Sequence, residues 1–228
     1  MNKTFYTAVG HFCRKTDASG RTCPVILVNQ KEHMVDMQEM AVWSVLNWRF
    51  LRLEQIELKY SQLAGDLPPA RRTLETCLNR LEMRGLIARG VGGTDFEALY
   101  DLLGELYVVP LSESLPLRLA TFTKLLLDGV SFSKARQLFQ KDKPNAREAQ
   151  VLALSRQALL SIAELIKCAE VGATDVSTDE KLMEALIDND YTSSDSIAFE
   201  MLESEHRVPV TMAVANLYLR KRVVLDRV

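Results

Sequence analysis

The segment from Pro68 to Thr94, PPARRTLETCLNRLEMRGLIARGVGGT, contains five arginines and only two acidic residues. Threonine, asparagine and glutamate side chains lie between the arginines, and a cluster of glycines follows them. Arginine binds guanine or phosphate through paired hydrogen bonds, asparagine binds adenine in the same way, and a threonine methyl group contacts thymine. The segment therefore has the side-chain chemistry of a surface that binds a nucleic acid.

A helix predicted over residues 69–84 would position these side chains. A proline in its first turn and a glycine after its last residue suit both ends of a helix. Leu74, Leu78 and Leu81 fall on one side at 100° per residue, and burial of each contributes about 1.5–3 kcal/mol. The polar side then faces outward. We expect base contacts from Arg72, Glu75, Thr76 and Asn79. We expect phosphate contacts from Arg71, Arg80, Arg84 and Arg89.

The distribution of charge agrees with this assignment. Residues 1–93 carry 13 Lys and Arg against 9 Asp and Glu, a net charge of +4, whereas residues 94–228 carry 15 against 21, a net charge of −6. A change of sign between halves indicates that the first half meets a polyanion. No run of about eighteen apolar residues predicts a membrane span, and the N-terminus is too polar for a secretion signal. We therefore expect a cytoplasmic protein with no membrane partner.

The remaining composition predicts neither a metal site nor a cofactor. The four cysteines show no CxxC pair and no spacing with histidine that suits zinc, so we expect reduced thiols. No phosphate-binding GxxxxGK[ST] loop, GxSxG or HExxH motif occurs. The three histidines, His11, His33 and His206, are scattered along the chain without a matching nucleophile. The chain is therefore not expected to be an enzyme.

The elements predicted in the first half are a β-hairpin and four helices. Residues 4–15 and 21–28 alternate as two strands around a turn that contains Gly20, and this arrangement would bring Cys13 and Cys23 to one face. Asp36 caps the first helix, with Glu39 at the capping-box position. The predicted helices cover residues 36–53, 54–65, 69–84 and 96–109, and a short strand follows Gly85.

The second half is predicted to be nearly all helical. Helices are expected at 117–129 and 131–141, from Asn145 to about Glu170, from Ser177, and from Pro209. The helix that begins at Asn145 has a heptad-like apolar stripe, formed by Leu152, Leu159, Ile162, Ile166 and Ala169. Such a stripe belongs either to a dimer interface or to the core of one chain. The tail VPVTMAVANLYLRKRVVLD is similar to Pro69–Arg89, so residues 179–228 could form a second helix-turn-helix-like unit.

Residues 36–95 resemble bacterial winged-helix transcription regulators of the broad MarR-like kind. Leu63-Ala64-x-x-Leu67 resembles the end of the first helix of a helix-turn-helix, and LETCLNRLEMRGLI resembles a recognition helix that runs into the wing strand. ARGVGGT resembles the wing. This wing is short, with few charges at its tip, and a β-hairpin precedes the first helix. The resemblance implies a wing formed by Gly90, Gly92, Gly93 and Thr94.

These observations predict a mainly α protein. An N-terminal β-hairpin and a winged helix-turn-helix would occupy residues 1–110, and an all-α domain for dimerisation or partner binding would occupy residues 111–228. The expected function is sequence-specific binding of double-stranded DNA by a homodimeric transcriptional regulator, because helix-turn-helix proteins generally bind paired half-sites. One alternative is a plasmid- or phage-type replication or partition protein. The other is a protein–protein adaptor that does not bind DNA.

Overall fold

The computed structural model describes residues 2–16, 20, 22–64, 72–104, 106–111, 143–187 and 194–228. Of these residues, 51% are helical and 22% are extended. The protein is therefore a mixed α/β protein, and the predicted mainly α class is wrong. The class differs because the N-terminal region forms four strands and because two further strand pairs join parts of the chain that are far apart in sequence.

The predicted hairpin is present, but its first strand is divided. The four N-terminal strands are β1 (Lys3–Ala8), β2 (His11–Thr16), β3 (Thr22–Val28) and β4 (Lys31–Met34). Strands β2, β3 and β4 form one antiparallel sheet. The chain turns between β1 and β2 at Gly10, whose φ is 80°, and a Cβ atom there would lie 2.2 Å from the carbonyl oxygen of Leu27. Only glycine fits this turn, so β1 leaves the hairpin.

Strand β1 pairs instead with a strand that follows the third helix. The next elements are α1 (Met37–Leu46), α2 (Leu53–Ala64), α3 (Leu74–Met83), β5 (Ile87–Gly92) and α4 (Asp95–Gly104). Strands β1 and β5 are antiparallel, and Tyr6 of β1 also bridges to Leu51. The predicted helix over 36–53 therefore ends at Leu46, because Trp48 adopts a φ of 56° and the chain then extends to reach Tyr6.

The second half contains β6 (Tyr107–Pro110), α5 (Ala146–Ser155), α6 (Ile162–Glu170), α7 (Asp179–Leu186), α8 (Ser194–Glu200), α9 (Arg207–Leu219) and β7 (Val223–Asp226). The long helix predicted over 145–170 is two helices. Ser161 begins the second one: its hydroxyl accepts a hydrogen bond from the Glu164 amide, and the Glu164 carboxylate accepts one from the Ser161 amide. The helix predicted over 96–109 ends at Gly104, and a strand follows. The helices predicted over 117–129 and 131–141 lie outside the described residues.

The heptad-like stripe of the second half belongs to the core. Leu152, Ile162, Ile166 and Ala169 are buried in the same hydrophobic cluster as α1 and β5, and only Leu159 of the five is exposed. The break between α5 and α6 also separates the stripe into two helices. Of the two alternatives for this stripe, the structure supports a core within one chain.

The same order of elements occurs twice in the chain. Unit 1 consists of β1, α1, α2, α3 and β5, with strands β2–β4 between β1 and α1. Unit 2 consists of β6, α5, α6, α9 and β7, with helices α7 and α8 between α6 and α9. In both units the last strand pairs with the first in antiparallel register, with Ala8 opposite Ile87 and Pro110 opposite Val223. In both units, a residue just before the second helix forms a β-bridge with the first strand: Leu51 before α2 bridges to Tyr6, and Ser161 before α6 bridges to Tyr107.

The ends of the corresponding helices also agree. A capping box starts the first helix of each unit, with a buried glutamate at its third position, Glu39 or Glu148. This carboxylate binds the arginine that ends the last helix of the same unit, Arg84 or Arg220. The predicted similarity between the C-terminal tail and Pro69–Arg89 thus has a structural counterpart that extends back to β6.

Tyr218 joins the two units. Its hydroxyl accepts hydrogen bonds from the Thr7 hydroxyl and the Trp48 amide, both at 2.9 Å, and donates one to the Ala8 carbonyl oxygen at 3.2 Å. The ring is buried beside Phe50. The boundary predicted near residue 110 is therefore crossed by this contact, by the β6–β7 pair and by a shared hydrophobic core.

We expect Tyr218→Phe to lower the free energy of unfolding by about 1–3 kcal/mol, because it leaves the part-buried Trp48 amide without its acceptor. The Thr7 hydroxyl keeps a second acceptor, the Arg49 carbonyl oxygen at 2.8 Å. Urea titration at about pH 7 measures this loss.

The difference in the free energy of unfolding between the wild type and Tyr218→Phe should depend on pH. Burial raises the pKa of Tyr218 to about 12, although the Thr7 and Trp48 hydrogen bonds oppose the rise. A raised pKa contributes stability that is present below the unfolded value near 10 and is lost as the pH rises towards about 12. The difference should therefore narrow at about pH 11, and a difference that is constant with pH would contradict this account.

Candidate nucleic-acid interface

Helix α3 has the predicted rotation but begins later than predicted. Thr73 caps it, because its hydroxyl accepts a hydrogen bond from the Thr76 amide. Leu78 and Leu81 are buried as expected, together with Cys77, whereas Leu74 is only half-buried at the start of the helix. The side that carries Leu78 and Leu81 therefore packs inward, and the opposite side of α3 faces solvent.

Three of the predicted base-contacting residues lie on this outward side. Glu75, Thr76 and Asn79 are exposed, and the exposed Met83 continues the same side by one turn. The Thr76 hydroxyl lies 2.8 Å from that of Thr73. A carboxylate, a hydroxyl and an amide are thus presented within two turns of one helix.

Three of the predicted arginines converge on a single buried carboxylate. Glu39 of α1 is 2% exposed. It accepts a hydrogen bond from Arg80 Nε at 2.9 Å and one from Arg84 Nη1 at 3.1 Å, and Arg72 Nη1 lies 3.9 Å away. A buried carboxylate is costly unless it is paired and hydrogen-bonded. These arginines therefore hold α3 against α1.

Arg72 was predicted to contact a base, and in the structure it forms an ion pair within the chain. Its guanidinium group binds the Asp36 carboxylate, and its carbonyl oxygen accepts a hydrogen bond from Gln38 Nε2 at 2.6 Å. Partial burial would raise the pKa of Asp36, but the hydrogen bonds from the Glu39 amide and Arg72 lower it overall. The ion pair with Asp36 holds the Arg72 side chain towards α1. Contact of Arg72 with a base edge would require this ion pair to separate.

The predicted phosphate-contacting residues divide into two groups. Arg84 is held by Glu39 and by the Met34 carbonyl oxygen, at 2.5 Å from Nη2. Arg80 remains 44% exposed although it is paired with Glu39. Arg89 pairs with Glu82 at 3.0 Å and is about half exposed. Arg71 lies outside the described residues. Arg80 and Arg89 therefore retain exposed guanidinium groups beside the outward side of α3.

The predicted wing is absent at the predicted residues. Gly90 and Gly92 belong to β5, which pairs with β1, and α4 packs directly against them. A Cβ atom on Gly90 would lie 2.3 Å from the Ala98 carbonyl oxygen, and one on Gly92 would lie 2.4 Å from the Ala98 amide. Glycine is needed at both positions because α4 lies directly against the strand and leaves no room for a side chain. The remaining two predicted wing residues start α4: the Glu97 carboxylate accepts hydrogen bonds from the amides of Gly93 and Thr94.

Sequence reasoning recognised Glu39 as a capping residue but missed its ion pairs. Two signals were present. Glu39 lies in the first turn of a helix that is otherwise rich in buried apolar residues, and the arginines of 72–84 recur on the side of α3 that turns towards it. Neither signal identifies which acidic residue, some 40 positions away in sequence, forms the pair.

The described residues contain no group of three or more His, Cys, Asp or Glu side chains placed to hold a metal ion. The β2–β3 register places Cys13 and Cys23 on the same face of the sheet, two residue pairs apart, and both are free thiols. None of the described helices combines the length and the apolar character needed to cross a bilayer.

Comparison of the chain with models of known protein families, with curated proteins and with solved structures finds no match. The functional argument therefore depends on the geometry of α3 and on the residues around it.

We expect Glu39→Gln to destabilise the protein by about 3 kcal/mol, because it removes the negative charge that three guanidinium groups share. Glutamine preserves the capping box, so the loss reports mainly on the ion pairs. Chemical denaturation measures the change.

Glu148→Gln is the matched comparison for Glu39→Gln. Glu148 has the same position in unit 2 but binds one arginine, and its Oε1 atom has no hydrogen-bond partner among the described residues. Its substitution should therefore cost less. If both variants lose equal stability, or if Glu148→Gln loses more, the contacts of Glu39 with three arginines do not contribute more stability than the single contact of Glu148.

Gly90→Ala should also destabilise the protein, by about 2–3 kcal/mol, because α4 has to move away from β5 to admit the methyl group. Gly93→Ala is the control, since its Cβ would meet only the flexible Glu97 side chain at 3.1 Å. Thermal unfolding of both variants checks this expectation. If both glycines tolerate alanine equally, the close packing of α4 on β5 is not a constraint.

Proposed function

We propose that the protein binds double-stranded DNA through the outward side of α3. The observation that carries the proposal is that α3 is locked at one rotation while its Glu75, Thr76 and Asn79 side chains stay exposed. Asparagine and threonine recognise adenine and thymine in the major groove, and glutamate accepts a hydrogen bond from cytosine. A helix held rigidly by buried contacts presents such groups at fixed positions, which sequence recognition requires.

The roles of the arginines differ from those expected from the sequence. Arg80 and Arg89 are the proposed phosphate contacts, because each keeps an exposed guanidinium group. Arg72 and Arg84 instead position the helix through Asp36 and Glu39. The proposed base contacts are therefore Glu75, Thr76 and Asn79, and positioning and recognition are carried out by different side chains.

The number of phosphate contacts predicts weak binding by one chain. Two contacts give a slope of log K against log salt of about −2, and two chains on paired half-sites give about −4. A cytoplasmic homodimer that regulates transcription would supply the second set of phosphate contacts. Selection of bound sites from a genomic pool distinguishes this function from replication or partition. Sites at promoters indicate transcriptional regulation, whereas sites at an origin indicate replication or partition.

A protein–protein adaptor is the second candidate. The internal pairing of Arg72, Arg80 and Arg84 favours it, because these charges are less available to phosphates than the sequence suggests. Met83, which is largely exposed on the same side of α3, also suits a protein partner better than a duplex.

A mobility-shift titration of the full chain with a random-sequence duplex, at about 50 and 200 mM salt, distinguishes these candidates. We expect a shift at low salt that weakens strongly at the higher concentration. No shift at either concentration would exclude DNA and leave the adaptor.

Two substitutions test the assigned roles. Asn79→Ala should lose about 1–3 kcal/mol of discrimination at one base pair of a selected site, whereas Arg89→Ala should weaken binding to all duplexes alike. Lys181→Ala is the matched control for Arg89→Ala, because Lys181 is also half exposed and ion-paired, to Asp175 in the second half of the chain. The assignment is refuted if Asn79→Ala and Arg89→Ala lose affinity uniformly and to the same extent.

A further inference from the structure

A cavity of about 740 Å³ lies between α4 and the start of α9, and we call it the α4–α9 cavity. Helix α4 and the end of β5 form one wall, and α8, the turn after it and the first residue of α9 form a second wall. Its volume lies within the range of about 300–1,000 Å³ that is usual for small-molecule sites. The first wall includes Glu97, Tyr100 and Asp101, and the second includes Phe199, Leu202 and Arg207.

Arg207 presents to this cavity a guanidinium group that forms no ion pair with any described residue. Its Cζ atom lies 5.1 Å from the centre of the Tyr100 ring and 5.4 Å from that of the Phe96 ring. Its Nη1 atom donates a hydrogen bond to the Leu202 carbonyl oxygen at 2.7 Å. A guanidinium group that stacks on aromatic rings can still bind a carboxylate through its remaining N–H donors. Arg207 is therefore held in place with donors left for a ligand.

Glu97 and Asp101 lie one turn apart on α4, and each uses one carboxylate oxygen to bind the backbone. Glu97 Oε2 accepts hydrogen bonds from two backbone amides just before α4, and Asp101 Oδ2 accepts one from the Val91 amide at 2.8 Å. The other two oxygens, Glu97 Oε1 and Asp101 Oδ1, have no partner among the described residues. Neither carboxylate pairs with Arg207, although all three side chains line the same cavity. The cavity thus presents both signs of charge without an ion pair between them.

The second wall adds apolar surface to these charges. Phe199 is 78% exposed and Leu202 is 38% exposed, and both line the cavity. Small-molecule sites usually combine apolar side chains with a few charged or polar groups that orient the ligand. The lining of the α4–α9 cavity has this combination.

We propose that the α4–α9 cavity binds a short apolar peptide, a dipeptide in the simplest case, through both of its termini. Arg207 binds the terminal carboxylate. Glu97 and Asp101 bind the terminal ammonium group, and Phe199 and Leu202 contact the apolar side chains of the peptide.

The charges of the cavity favour this ligand over simpler ones. An anion without an ammonium group leaves both carboxylates without a partner, and an amine without a carboxylate leaves Arg207 without one. In a free amino acid the two charged groups share one carbon atom, whereas two extended residues span about 7 Å. Because Arg207 contacts neither Glu97 nor Asp101, the ligand has to reach two separate places, and a dipeptide has the length to do so.

The inference goes beyond the proposed binding of DNA and does not require it. None of the described residues that line the α4–α9 cavity belongs to α3.

Isothermal titration calorimetry of the full chain with leucyl-phenylalanine tests this site. We expect a dissociation constant of about 10–100 μM, a modest affinity for a ligand of this size. N-acetyl-leucyl-phenylalanine lacks the ammonium group and leucyl-phenylalanine amide lacks the carboxylate, so each should bind about 10-fold more weakly. Glycyl-glycine retains both charges without the side chains and should weaken by about the same factor.

Two substitutions assign the ends of the peptide. Arg207→Gln should weaken leucyl-phenylalanine by about 10-fold and leave the affinity of its amide unchanged, because the amide has no carboxylate for Arg207 to bind. Asp101→Asn retains an acceptor for the Val91 amide. It should weaken leucyl-phenylalanine by about 10-fold and leave the affinity of the N-acetyl form unchanged.

Asp95→Asn is the matched control for Asp101→Asn. Asp95 also lies on α4, but it pairs with Arg52 and does not line the cavity, so its substitution should leave the dissociation constant unchanged. If Arg207→Gln does not fold by circular dichroism, Phe199→Ala replaces it. The Phe199 side chain is largely exposed, and its loss should weaken leucyl-phenylalanine by about 10-fold.

Three results would each overturn the proposal. The first is the absence of binding at about 5 mM leucyl-phenylalanine. The second is equal affinity for leucyl-phenylalanine and for its N-acetyl form, its amide or free phenylalanine. The third is an equal loss of affinity in Asp95→Asn and Asp101→Asn.

Peptide binding and DNA binding can fail independently. Asn79→Ala should bind leucyl-phenylalanine as the wild type does, and Arg207→Gln should still shift a random-sequence duplex. Peptide binding without a shift, and a shift without peptide binding, therefore identify which of the two inferences is wrong.

Discussion

The buried Glu39 carboxylate is the contact on which the candidate interface depends. A carboxylate removed from water is stabilised only by good geometry and sufficient partners, and Arg80, Arg84 and Arg72 supply the opposite charge. The contact joins the first turn of α1 to both ends of α3. Together with burial of Leu78 and Leu81, it sets the rotation of α3, and that rotation determines which side chains face outward.

Unit 2 has the same contact between a buried capping glutamate and the arginine at the end of the last helix, but different side chains surround it. Glu148 also caps its helix and binds the arginine that ends the last helix of its unit. The position of Arg80 is occupied by Asn216, and that of Arg72 by Val208, so only one of the three arginines persists. The two units thus share a backbone arrangement, whereas one presents a polar helix side and the other an apolar side.

Sequence reasoning succeeded where local interactions dominate. The capping box at Asp36 and the helix start at Asn145 were predicted correctly, as were the hairpin and the buried leucines at positions 78 and 81, because each depends on neighbouring residues. It failed where distant contacts decide. Residues 107–109 were read as the end of a helix, but pairing with the C-terminal strand places them in a strand. The arginines were read as nucleic-acid contacts, but acidic residues about 40 positions away bind three of them. Gly90 was read as part of a wing, whereas its missing side chain leaves room for α4 against β5.

Chemical-shift mapping by NMR tests most directly whether α3 is the surface that binds DNA. Backbone amide signals of the full chain would be followed while a random-sequence duplex is added at low salt. The account predicts that the largest changes occur between Thr73 and Met83, with small changes along Val208–Leu219. Changes concentrated on α9, or none on α3 while the duplex is bound, would contradict it.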